Sequence, residues 1–183
     1  MSSQDLSTAP SPRAFAIRFG VVFLATMGFI ILVLGTRGLA FVAGMMAHAR
    51  IHAPDWRLIA EAPLAIRIHL ATVTAALALA TVQMAGPKGR TFHRVLGWTL
   101  AILLVTTAVA SAFIRNPAGG LFNPFQLFSV WTLIAVPWGI LSARGHNVRR
   151  HAGIMSGLYF GGLILAGLLT FLPGRLMWRV FFG

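Results

Sequence analysis

Five runs of about 20 predominantly apolar residues, at 15–34, 65–85, 95–114, 124–143 and 152–172, constrain this chain more than any other feature. Each is long enough to cross the hydrocarbon core of a bilayer. In lipid, every backbone N–H and C=O must find its partner within the protein, so runs of this kind form helices. The expected fold class is all-α, a polytopic transmembrane helical bundle with five predicted spans. Composition agrees. The chain is 57 % hydrophobic and only 10 % charged, against about a quarter charged in soluble domains, and its mean hydropathy is +0.81.

The net charge of +12 comes from 15 Lys and Arg set against 3 Asp and Glu. On a soluble domain such a balance points to nucleic acid. Here the basic residues fall at the ends of the apolar runs, where phospholipid headgroups are the partner, so the lipid bilayer is expected and nucleic acid is not. There is no cysteine. Disulfides, thiolate metal sites, iron–sulfur clusters and cysteine nucleophiles are thereby excluded, and redox chemistry requires a bound cofactor.

Along the chain, residues 1–12 form a polar tail and residues 13–36 hold the first transmembrane helix. That run is too long for a signal-peptide core and reads as an uncleaved anchor. Residues 37–63 form an outer interfacial segment, and residues 64–183 a four-helix transmembrane core with a C-terminal interfacial anchor around Trp178. Arg13 and Arg18, then Lys88, Arg90 and Arg94, then Arg144, Arg149 and Arg150 fall on one side of a five-span chain. The positive-inside rule makes that side cytoplasmic, with the N-terminus cytoplasmic and the C-terminus outside, in a bacterial inner membrane.

The outer segment carries His48 and His52, which share a face if a helix runs through them. Such an i, i+4 pair ligates zinc in some proteins, but no third ligand follows, and two interfacial histidines is the favoured reading. Asp55 and Glu61 are the only carboxylates outside the tail. Nothing demands a catalytic site, and the reading leans away from an enzyme. In the fourth span Pro137 should kink the helix. In the fifth, Gly153, Gly157 and Gly161 make a ridge suited to close helix packing.

Ionisable groups inside spans are costly and are functional hypotheses by default. His69 lies one turn into the second span from its outer end. His93 and His151 begin the third and fifth spans from the opposite side and share a depth. A rotation of about 100° per residue places Gly97, Leu100, Leu104 and Thr107 near the His93 face, and Met155 near that of His151. Gly97 leaves room for a flat ring, and Gln83 reaches the depth of the two histidines. Two imidazoles from different helices at one depth can ligate the iron of a b-type haem, with Arg90, Arg94, Arg149 and Arg150 at hand for its propionates. The plainer reading leaves both histidines at the interface, hydrogen-bonded to headgroups, loop carbonyls or each other.

His69, the run 93–97, Phe113-Ile114-Arg115, His151 with Met155, the run 157–163 and Pro173-Gly174-Arg175 together resemble the domain of unknown function 2306 family of bacterial membrane proteins. The resemblance runs from Arg67 to the C-terminus. It implies a multi-pass membrane protein and brings no reaction with it. Members often carry a histidine ahead of the fourth span, where this chain has Gln126, and an arginine after the first glycine, where this chain has Trp98. A histidine at 126 would pair with His69 and complete the two-haem, four-helix arrangement of membrane b-type cytochromes.

The leading expectation is one b-type haem, or a planar redox partner such as quinone, between His93 and His151, serving electron transfer. His69, Gly97, Arg94, Arg150 and Gln83 complete the candidate cofactor site, and His93 and His151 are the candidate metal ligands. The alternatives are an accessory subunit of a larger membrane complex and a small transporter using a polar path through Arg67, His69, Gln83 and Gln126.

Overall fold

The computed structural model describes residues 38–114 and 126–182 and six single positions, 17, 20, 21, 24, 28 and 35. The chain divides into two compact units, Met1–Ala49 and Arg50–Gly183. In the first, the six single positions are helical, and an apolar helix α1 spans Gly38–Ala47. The polar tail and most of the first expected span lie outside the described residues.

The second unit holds α2 (Trp56–Ala60), α3 (Leu64–Ala85), α4 (Thr91–Ala112), α5 (Gln126–Arg144) and α6 (Val148–Gly157). A π-helical segment, Leu158–Leu165, follows, then α7 (Ala166–Leu169) and α8 (Leu176–Phe182). Among the described residues, four helical stretches are long and apolar enough to cross a membrane: α3, α4, α5 and the continuous run Val148–Leu169. These match the second to fifth expected spans. Both α4 and the last span begin about one turn earlier than their apolar runs, because arginine and histidine are tolerated in a helix and do not end it.

Local chemistry explains where the spans stop. Pro63 precedes α3, and no Pro or Gly interrupts 64–85. The helix ends at Gly86, extended ahead of Pro87, which has no N–H to continue the ladder. Lys88 Nζ folds back onto the carbonyls of Met84 (2.5 Å) and Gly86 (2.9 Å), placing a cation on acceptors the helix end leaves unpaired. Between α5 and α6, His146 takes a left-handed φ of 57° and Asn147 caps α6 by accepting from the Arg150 N–H at 3.0 Å. These two short turns put the start of α4 and the start of α6 at the same end of the bundle.

The spans pack as a ring: α3 on α4, α4 on α5, α5 on α6, with the π-helical segment returning to α3. In that ring α4 and α6 are diagonal. The core joins Ala76 and Ala80 of α3, Leu100, Ala101 and Leu104 of α4, Ala135 and Val136 of α5, and Leu158 and Leu163 of the π-helical segment. Lipid removes the hydrophobic drive between helices, so close contact over small residues and interhelical hydrogen bonds hold such a bundle. Ala76 and Ala80 supply the first. The Thr107 hydroxyl, 2.7 Å from that of Thr72, and the Tyr159 hydroxyl, 3.1 Å from that of Thr81, supply the second. Large apolar side chains such as Ile102, Val109, Trp131 and Ile134 are exposed on the outside, as a bilayer-facing surface requires.

The outer segment is not one amphipathic helix. α1 ends at Ala47, residues 49 and 50 are non-helical, and only the short α2 follows, so the helical face that would bring His48 and His52 together is not formed. Instead the N–H groups of Arg50, His52 and Asp55 donate to the carbonyls of Phe182, Phe181 and Val180, the free acceptors at the end of α8. α8 packs on α2 with Trp178 and Val180 buried and Trp56 edge-on to Phe181. Ahead of α8, burial holds the half-buried Arg175 guanidinium below the usual arginine range.

Candidate functional site

The diagonal arrangement decides which histidines meet. His93, on the first turn of α4, and His151, on the first turn of α6, face each other across the end of the ring, with ring centroids 6.4 Å apart and planes at 82°. His151 Nδ1 lies 2.9 Å from the Gly139 carbonyl of α5. A carbonyl only accepts, so Nδ1 carries the proton, and in the neutral ring Nε2 is left with its lone pair. His93 Nδ1 is buried without a hydrogen-bond partner. A buried polar atom in that condition calls for an explanation.

Gly139 is the close-approach point of this end. A Cβ there would overlap the Met155 methyl group, so the glycine lets α6 lie against α5 and brings its carbonyl within reach of His151. Gly139 was not visible as a site residue in the sequence. Pro137 gave no pointer to it, because a proline frees the carbonyl one turn earlier, at Leu133, and not one that follows it.

Gln83, from the last turn of α3, donates its Nε2 hydrogen to the His93 carbonyl at 3.1 Å. The same amide occupies the space over Gly97, 3.4 Å from where a Cβ would stand. Gln83, His93, Gly97 and His151 are therefore brought to one end of the bundle. Arg94 and Arg150, each next in sequence to one of the histidines, are exposed there, and their guanidinium groups have no hydrogen bond or ion pair within the described residues. Arg150 also lines a shallow groove with Trp138, Leu141 and Asn147. Arg144, at the same end, lies 5.7 Å from the Trp98 ring centre, a cation–π contact joining the end of α5 to α4.

His69 stands apart. It lies on α3 fourteen residues before Gln83, roughly 20 Å along the helix axis at about 1.5 Å per residue. Its Nδ1 lies 3.0 Å from the Thr107 carbonyl of α4, beside the Thr72–Thr107 hydroxyl pair. Gln126 begins α5 at this same far end.

Among the described residues no three of His, Cys, Asp and Glu converge on a point. A zinc site of three or four protein ligands is not assembled there. Two imidazoles suit an iron whose remaining ligands come from a macrocycle. An imidazole nitrogen binds a metal at about 2 Å and its ring centre lies about 1 Å further back, so two rings on opposite sides of one ion stand about 6 Å apart. The two rings stand 6.4 Å apart, centre to centre, in a T-shaped arrangement.

Comparison with known proteins gives one match. The family described as "Predicted membrane protein (DUF2306)" covers residues 66–181, from the first turn of α3 to all but the last residue of α8. No curated protein and no solved structure matches the chain.

Proposed function

We propose that this chain, which belongs to the DUF2306 family of predicted membrane proteins, holds one b-type haem between His93 and His151 and passes electrons within the membrane. The observation that carries the reading is the facing pair of imidazoles on diagonal helices, 6.4 Å between centres. Three further features support it. The Gly139 carbonyl fixes the His151 ring and its tautomer, as second-shell acceptors do for metal-bound histidines. The buried His93 Nδ1 atom has no hydrogen-bond partner among the described residues. Arg94 and Arg150 flank the pair at the headgroup level, where propionates need cations.

In this reading His93 and His151 would hold the haem iron, Gln83 holds the first turn of α4 in place through the His93 carbonyl, and Arg94 and Arg150 would pair with the propionates. The bound group supplies a one-electron couple. The protein's part is to bind it, to orient the imidazoles and to keep its iron between packed helices. With the basic turns cytoplasmic, the site lies on the cytoplasmic side of a bacterial inner membrane, and a quinone or a redox subunit is the electron partner.

The test is a reduced-minus-oxidised visible spectrum of the purified protein from cells given ample haem precursor. The expected result is b-type bands with haem bound one to one, abolished in His93→Ala and in His151→Ala and kept in His69→Ala. A colourless protein that is folded and pure would sink the reading.

A second reading, an accessory subunit of a larger complex, is favoured by one observation. Gly153 and Gly157 of the expected packing ridge are exposed, with open space where a side chain would stand. Co-purification of a stoichiometric membrane partner, lost in Gly157→Leu, would support it.

A further inference from the structure

The end of the bundle that carries His93 and His151 holds six cations in two short turns and the helix ends beside them: Lys88, Arg90, Arg94, Arg144, Arg149 and Arg150. No carboxylate follows Glu61 anywhere in the chain, so the four-span bundle contains no internal counter-ion for them. Two of the six are engaged, Lys88 on the carbonyls ending α3 and Arg144 on Trp98. The guanidinium groups of Arg90, Arg94, Arg149 and Arg150 are exposed and have no hydrogen bond or ion pair within the described residues. They lie within three residues of two rings only 6.4 Å apart, so all four are gathered at one end of the bundle.

We propose that this patch is a binding site for anionic phospholipid of the surrounding leaflet, centred on Arg90 and Arg149. A guanidinium presents a planar fork of donors that matches a phosphate, and both residues sit at span ends, the depth at which headgroup phosphates lie. α4 adds to the attraction, because Arg90 is its N-cap and makes no side-chain cap hydrogen bond, which leaves the positive end of the helix dipole at this end of the bundle. The occupant is a lipid and not a free anion because the exposed, bilayer-facing Phe92 and Val95 adjoin the arginines, so apolar contact continues directly below the charged patch. The site uses guanidinium groups and not imidazoles, and two haem propionates would occupy only Arg94 and Arg150. It therefore stands or falls independently of the haem reading.

Native mass spectrometry of the full chain, released from neutral detergent after titration with phosphatidylglycerol or phosphatidylcholine, tests it. Each basic residue near an anionic lipid surface strengthens attachment about fivefold, so losing two should cost roughly 25-fold. The expected result is preferential retention of phosphatidylglycerol, falling by about that factor in Arg90→Gln/Arg149→Gln, mostly kept in Arg90→Lys/Arg149→Lys, and unchanged in Arg57→Gln/Arg67→Gln. Equal retention of the two lipids would overturn the proposal. So would full retention in the Gln pair, or displacement of the lipid by inorganic phosphate at equal concentration, which would mark a free-anion site.

Discussion

At Gly139 the lack of a side chain and the presence of a carbonyl are both used. The carbonyl fixes the His151 ring, and the missing Cβ admits the Met155 methyl group. Gly139→Ala should therefore push aside the Met155 methyl group, the end of a flexible side chain, at a cost near the low end of about 1–3 kcal/mol. Thermal unfolding in detergent should show the loss, and adding Met155→Ala should recover much of it, a coupling that two independent sites would not show. The two histidines were legible in the sequence from their equal distance to charged turns. Their partners were not. Hydrogen bonds to a backbone carbonyl leave no mark in residue type, so neither the Gly139 acceptor of His151 nor the Thr107 acceptor of His69 could be read in advance. Gly97 shows the same limit: the glycine signals space, but only the fold reveals that the Gln83 amide fills it.

Single elements divide according to length. A run of about 20 apolar residues has one stable form in lipid, so the four described spans were legible to within about a turn. Shorter pieces depend on what they touch. Trp178 was expected to anchor in the headgroup layer; the fold adds that its helix, α8, lies on α2 with the indole buried. The N–H groups of Arg50, His52 and Asp55 close the end of α8, a long-range pairing invisible to local pattern. Trp178→Ala should undo this unit, at a cost of about 3–5 kcal/mol if the cavity stays open. Hydrogen exchange should then accelerate together over residues 50–60 and 176–182 while α3 to α6 keep their protection. Acceleration spread evenly over the spans would contradict that division. The π-helical segment was not foreseen either; its extra residue per turn follows Gly157 and includes Gly161 and Gly162, with little side-chain bulk to resist the wider turn.

For the molecule as a whole, the decisive fact is the order of the helices around the ring. Sequence placed His93 and His151 at one depth, but depth alone leaves neighbours and diagonals undistinguished. The packing of α4 between α3 and α5, and the return of the last span to α3, puts the two histidines across from each other at the basic end and leaves His69 at the far end. At that far end α5 begins with Gln126 and not a histidine, so the proposed reading is one haem and not two. The most direct measurement is low-temperature electron paramagnetic resonance of the oxidised protein. Two axial imidazoles with planes near 82° should give a single, strongly anisotropic low-spin ferric signal, present in His69→Ala and lost in His93→Ala and His151→Ala. A high-spin signal, a low-spin signal surviving either substitution, or no haem signal in folded protein would contradict the two-histidine site.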